Sequence, residues 1–150
     1  MSIFLDAPFV PTSKKQIRKM LKFADLQPNE TLYDLGSGDG RILILAATEF
    51  NAKAVGIELN PLLVAYSNFR IFIERLQDKV QVRWGNIFLR DISEADVVTM
   101  YLLQQTNNRM MKKLKEELKP GARIVSYVYT FPDWEPIKVE KESKLYLYSI

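Results

Sequence analysis

The sequence predicts an α/β protein built on one mostly parallel sheet that closes with a C-terminal antiparallel hairpin. Three observations predict it. Short apolar runs alternate with segments of helical periodicity from Thr31 to Thr130. A glycine-rich turn, Gly36-Ser37-Gly38-Asp39-Gly40, joins the first of those runs to a helix. After Phe131-Pro132-Asp133-Trp134 the pattern becomes two strand-like segments with no helix between them.

Each element follows in order. Ser13, with Gln16 three residues later, reads as a capping box that starts a short N-terminal helix. Its apolar stripe is Ile17, Met20, Leu21 and Ala24. Gln27-Pro28-Asn29-Glu30 breaks that helix, and Thr31 to Leu35 is the first strand. The glycine turn then opens a helix that runs to about Phe50. Ala52 to Leu59 is the second strand and holds Glu58 at its end. Asn60 followed by Pro61 is an N-cap with proline at the first helical position. That helix carries Leu62, Leu63, Tyr66, Phe69, Ile73 and Leu76.

Val80 to Trp84 is the third strand, and Leu89 to Ala95 is too short a crossover for a full helix. Asp96 to Leu103 is nearly all apolar, as a strand buried on both faces must be. A helix from about Asn107 to Leu118 turns Met110, Met111, Leu114 and Leu118 inward and stops at Pro120-Gly121. Arg123 to Thr130 is the fifth strand, and Ile137–Glu142 and Lys144–Ile150 form the hairpin. Alternating β and α implies right-handed parallel crossovers. Five parallel strands and the hairpin make a seven-stranded sheet, the Rossmann-like class I methyltransferase arrangement rather than an all-parallel dehydrogenase.

The 150 residues are expected to form one domain, 1–150, that buries about two-thirds of its unfolded surface. No cysteine and no histidine is present, which removes disulfides, thiol nucleophiles and the commonest general base and metal ligand. Chemistry is left to Asp, Glu, Tyr, Lys, Ser and the backbone, and no metal site is expected. Met1 to Leu5 is too short for a signal core and no run reaches membrane-span length, so a cytoplasmic protein without membrane insertion is expected. A net charge of +3 is too small to imply nucleic acid. Basic residues do cluster at Lys14, Lys15, Arg18, Lys19 and Lys22, and again from Arg109 to Lys119. Each cluster is a solvated helix face or the docking surface of an acidic or phosphate-rich partner.

The glycine turn suits a nucleotide, because three glycines let backbone lie close to a ligand. Its spacing is not the dinucleotide G-x-G-x-x-G. Asp34 and Asp39 flank it, and their charge disfavours phosphate while suiting a cation. S-adenosylmethionine (SAM) carries an ammonium and a sulfonium, and so is the expected cofactor. A turn that merely caps a helix is the alternative. Ligands of open α/β sheets lie beyond the C-terminal strand ends. Expected cofactor contacts there are Asp34, Gly36, Ser37, Gly38, Asp39 and Gly40 at the methionine end. Glu58, with Leu59, is expected at the ribose, Asn86 and Ile87 at the adenine, and Tyr101 at the methyl group. A surface Glu, a capping Asn and a core Tyr are the structural alternatives.

Pro8-Phe9-Val10-Pro11-Thr12, Asp34 to Ile42, Gly56 to Pro61, the Leu114–Arg123 segment and Phe131-Pro132-x-Trp134 occur together and in order. The chain thereby resembles the small class I SAM-dependent protein-lysine methyltransferases of archaea. It is also similar to mitochondrial relatives that act on the ATP synthase c-subunit and the adenine nucleotide carrier. The resemblance implies that Phe9 to Thr12 fold over the cofactor and that the acceptor is an exposed lysine of another protein. The membrane-targeting segment of the mitochondrial members has no counterpart here, so the archaeal type is expected.

A lysine must attack as the free amine, and an aromatic mouth lowers its pKa by desolvation. Tyr101, Tyr127 and Tyr129 are the candidate catalytic residues, with Phe131 and Trp134 completing the mouth. An open rim without an inserted recognition domain predicts broad specificity. An RNA or small-molecule methyltransferase and a non-catalytic SAM-binding protein are the alternatives. No Asn/Asp-Pro-Pro-Tyr/Phe motif follows the fourth strand, which disfavours adenine or glutamine amino-methylation.

Overall fold

The structure, a computed structural model, describes residues 12–150. Phe9, expected over the cofactor, lies outside these residues.

Helix α1 (Lys14–Phe23) starts where Ser13 Oγ accepts a hydrogen bond from Gln16 N at 3.2 Å. Only this half of the expected capping box forms. The Gln16 side chain instead donates to Ser143 O at 3.1 Å, tying α1 to the distant hairpin. Ile17, Met20, Leu21 and Ala24 are buried, as the stripe required.

Strand β1 (Thr31–Leu35) leads through the glycine turn to α2 (Arg41–Phe50). Strand β2 (Lys53–Glu58) leads to α3 (Pro61–Ile73), whose cap is Asn60 Oδ1 accepting from Leu62 N at 3.0 Å. Strands β3 (Val80–Trp84) and β4 (Val97–Met100) are joined by turns with no intervening helix. Helix α4 (Gln104–Glu117) and β5 (Arg123–Tyr127) follow, then β6 (Lys138–Glu140) and β7 (Leu145–Ser149).

The seven strands lie in the order β3-β2-β1-β4-β5-β7-β6. β3 through β5 are parallel, and β7 and β6 are antiparallel. The chain order reverses between β1 and β4, so the C-terminal ends of those strands form the crevice where ligands bind in such sheets. Strand residues alternate between two apolar layers: Leu32, Ala54 and Val97 join α1 and α2 on one face. Tyr33, Val55 and Val98 join Met110 and Leu114 of α4 on the other.

Four expectations need correction. β4 ends at Met100 and α4 begins at Gln104, three residues before the expected start, because the chain turns at Tyr101 to Leu103. β5 ends at Tyr127 rather than Thr130, because Val128 takes φ 76°, outside extended geometry. The hairpin strands are shorter than expected and are separated by four residues, 141–144, where Lys144 adopts φ 57°. Finally, α3 turns most of its apolar residues outward: Leu62 is 79% exposed and Phe69 61%, whereas Ser67 and Ile71 are buried. The reason is local. Ser67 Oγ donates to Gly38 O at 3.0 Å, and a Cβ at Gly40 would stand 3.3 Å from Ser67, so α3 presents its small polar residue to the glycine turn. No helix among the described residues is long and apolar enough to cross a membrane.

Candidate active site

The glycine turn is shaped by backbone conformation. Gly36, Gly38 and Gly40 have φ of 80°, 59° and 82°, values an L-side chain resists. Gly36 N and Ser37 N both donate to Ile57 O, at 2.9 and 3.2 Å, which stitches the turn to the end of β2. Gly56 of β2 has no room for a Cβ, since one would lie 2.6 Å from Leu43 Cδ1 and as close to Ser37 Cβ. Ser37 Oγ is buried without a hydrogen-bond partner and is packed against Gly56 of β2. Gly36 is exposed at the same point.

The carboxylates divide into three situations. Asp34 is buried and accepts from Thr99 Oγ1 at 2.8 Å, across a register pair of β1 and β4. Burial pushes its pKa up to about 7, with the Thr99 hydrogen bond opposing and the Glu58 and Asp39 charges adding. Asp34 is therefore not a plain anion at neutral pH.

Asp39, expected to offer its charge to a cation, faces two guanidinium groups of the chain itself. Its carboxylate pairs with Arg41 at 2.7 Å and lies 3.8 Å from Arg70. Burial works against ionisation there, yet the Arg41 hydrogen bonds and both guanidinium charges hold its pKa below the ordinary value. Arg41 also donates to Thr12 O at 3.1 Å, so Asp39 works through Arg41 to anchor the entry of the N-terminal segment.

Glu58 is buried, and its two oxygens accept from Gly38 N and Asn60 N, both at 2.8 Å. It fastens the glycine turn to the start of α3. Each carboxylate oxygen keeps a second lone pair for a hydroxyl.

Beyond β3, Asn86 Oδ1 accepts from Phe88 N at 2.8 Å, an Asx turn. Its oxygen, expected to face an adenine amine, is already shared with the backbone. Ile87 is buried, and Leu59 O accepts from Trp84 Nε1 at 2.9 Å, so Trp84 borders this end.

At the ends of β4 and β5 the Tyr101 and Tyr127 rings stand 4.6 Å apart, tilted by 53°. Tyr101 is 36% exposed. Desolvation raises its pKa, and the nearby Tyr127 and Tyr129 phenols raise it further. Three phenols thus gather at the crevice. Tyr127 and Tyr129 would share one sheet face in a regular strand. The positive φ of Val128 between them breaks that alternation. Phe131 is corrected: it is 2% exposed, 5.0 Å from both Trp134 and Tyr148, and belongs to the core, whereas Trp134 packs on that core and stays partly exposed.

Residues the sequence reading missed hold these groups. Asn107 Nδ2 donates to Ser126 Oγ at 3.1 Å and to Thr130 O at 3.4 Å. Ser126 Oγ donates to Tyr129 O, and Gln104 Nε2 donates to Thr130 O at 2.7 Å. The signal was available. Asn107 falls three residues before Met110 and seven before Leu114, on the inward stripe of α4, where a polar residue needs a partner. Thr99 is likewise a polar residue inside an apolar strand.

Residues 34–138 match the ANTKMT methyltransferase domain model. Over 157 aligned residues the chain is 43% identical to a protein-lysine N-methyltransferase of Saccharolobus islandicus (strain REY15A), covering 100% of this chain and 98% of that one. It is 36% identical to the human ATP synthase C-subunit lysine N-methyltransferase over 90% of this chain, spanning 57% of that relative's length. A crystal structure of an RNA methyltransferase from Salinibacter ruber with S-adenosyl-L-homocysteine superposes with a TM-score of 0.90. It shares 40% identity, and 94% of each chain is covered.

Proposed function

This chain belongs to the ANTKMT methyltransferase domain family, and we infer that it is a SAM-dependent protein-lysine N-methyltransferase. The observation that carries the inference is end-to-end similarity to the Saccharolobus protein-lysine N-methyltransferase, 43% identical over the whole of this chain. The site fits the cofactor: the turn offers an exposed backbone at Gly36, three positive-φ glycines with no Cβ in the way, and the side-chain oxygens of Glu58 at the end of β2. Gly36, Ser37, Gly38 and Asp34 hold the methionine end. Glu58 and Leu59 hold the ribose, Asn86 and Ile87 hold the adenine, and Thr12 closes the side held by Arg41.

Bound SAM supplies an electrophilic methyl on a sulfonium. The lysine nitrogen forms the new N–C bond as the C–S bond breaks, and the excess proton leaves to water. An amine with a solution pKa near 10.4 costs about 4–5 kcal/mol to deprotonate at pH 7. Tyr101, Tyr127 and Tyr129 desolvate the ammonium and hold the free amine in line, so catalysis is mainly positioning. No His or Cys is needed. The open rim suits many exposed lysines, hence broad specificity, and the protein substrate is expected in the cytoplasm.

An RNA acceptor is the second reading, prompted by the similarity to the Salinibacter RNA methyltransferase. Incubation of the protein with tritiated SAM and a cell lysate separates the two. Label in protease-sensitive, RNase-resistant material supports lysine transfer; label confined to RNA or small solutes overturns it.

A further inference from the structure

One cavity lies outside the cofactor crevice. It measures about 330 Å³ and is lined by Lys15, Lys19, Tyr127, Glu142, Ser143 and Lys144, among others. The basic cluster of the first helix is therefore not only a solvated face. Arg18 on that helix pairs with Glu49 at 2.7 Å, while Lys15 and Lys19 line the cavity. Lys15 and Lys144 form no ion pair among the described residues.

Hydrogen bonds between distant elements frame the cavity. Lys19 Nζ donates to Ser143 Oγ at 2.9 Å and Gln16 Nε2 donates to Ser143 O at 3.1 Å, joining α1 to the 141–144 turn. Val128 N donates to Lys144 O at 2.8 Å, joining that turn to the end of β5. Tyr127 is shared: it lines the cavity and its ring lies 4.6 Å from that of Tyr101. The cavity thus begins one aromatic ring away from the acceptor mouth.

We propose that this cavity is the docking site for acidic side chains flanking the target lysine, so that the enzyme favours lysines in acidic surroundings. The proposal rests on the protein-lysine reading. Three lysines against one glutamate make the lining cationic, and a carboxylate from a substrate supplies the missing counter-charge. An acidic flank therefore lowers KM by holding the segment beside the mouth, while the tyrosines alone receive the amine. A Glu two to four residues from the target lysine reaches about 7–13 Å along an extended chain, enough to span from the mouth into the cavity.

The test uses the whole chain and peptides with one lysine, carrying either Glu or Gln at two to four residues from it. The wild type is expected to show a KM lower for the Glu peptide by a factor on the order of 3 to 10, with similar kcat. That preference shrinks as salt rises from about 0.05 to 0.5 M. In Lys15→Gln/Lys144→Gln it falls to about one, and in Lys15→Glu/Lys144→Glu it reverses. Activity on the Gln peptide, SAM affinity and Tm are expected to stay unchanged in both variants. Equal KM values in the wild type, or a preference that survives both variants, overturn the cavity assignment while lysine methylation stands. Methyl transfer to a short RNA and to neither peptide overturns both.

Discussion

The Thr99 hydroxyl donates to the buried Asp34 carboxylate at 2.8 Å, directly across the β1–β4 register at the sheet's switch point. Burial raises the Asp34 pKa to about 7, against an ordinary value of 3.8. In the folded state Asp34 keeps its proton where the unfolded chain has lost it. Its contribution to stability is fully present below about pH 4 and is lost as pH rises through about 7. Urea unfolding of wild type and Asp34→Asn between pH 5 and 8 checks this. The wild type should lose stability relative to the variant across that window, and Thr99→Val should move the window upward. A difference independent of pH contradicts the assignment.

Glu58 binds Gly38 N and Asn60 N and is assigned to the ribose. Glu58→Ala should weaken SAM binding by roughly 1–3 kcal/mol in calorimetric titration, since it removes an ionic acceptor. Asn60→Ala, which removes only the α3 cap, should cost about 1 kcal/mol of stability and leave SAM affinity nearly intact.

Gly56 packs against Ser37 and Leu43 with no space for a methyl group. Gly56→Ala should destabilise the protein by about 1–3 kcal/mol through overpacking. In a double-mutant cycle Ser37→Gly should recover part of that loss, because the two side chains contend for one volume. Strict additivity would show that the clash is relieved elsewhere.

Val128 sits at φ 76° between two candidate catalytic tyrosines. Val128→Gly should relieve about 1 kcal/mol of backbone strain and raise Tm. It should also lower kcat, because the 127–130 segment then samples more conformations. Asn107→Ala should lower kcat by the same route while destabilising the fold, since it frees Ser126 and Thr130 O from their shared donor.

Much of this architecture was legible from local pattern. Strands Thr31–Leu35 and Val80–Trp84 fall where apolar runs place them, and the Asn60-Pro61 start of α3 follows from capping chemistry alone. What was hidden depends on contacts distant in sequence. Gln16 gave up its capping box for a carbonyl 127 residues away, and Asp39 was claimed by Arg41 and Arg70. The exposed face of α3 was invisible because apolar residues at helical spacing look alike whether or not a neighbour covers them. Phe131 and Trp134 read as a mouth because they follow β5, yet Tyr148 draws Phe131 into the core and Trp134 packs on it, partly exposed.

Methyl-lysine mapping by mass spectrometry tests the central assignment most directly. The purified protein is incubated with isotopically labelled SAM and proteins of its own lysate, with Tyr101→Phe and Glu58→Ala variants in parallel. Labelled methyl groups should appear on lysine Nζ atoms with the wild type and be strongly reduced with both variants. Labelled lysines that persist equally with both variants, or label found only outside protein, would contradict the account.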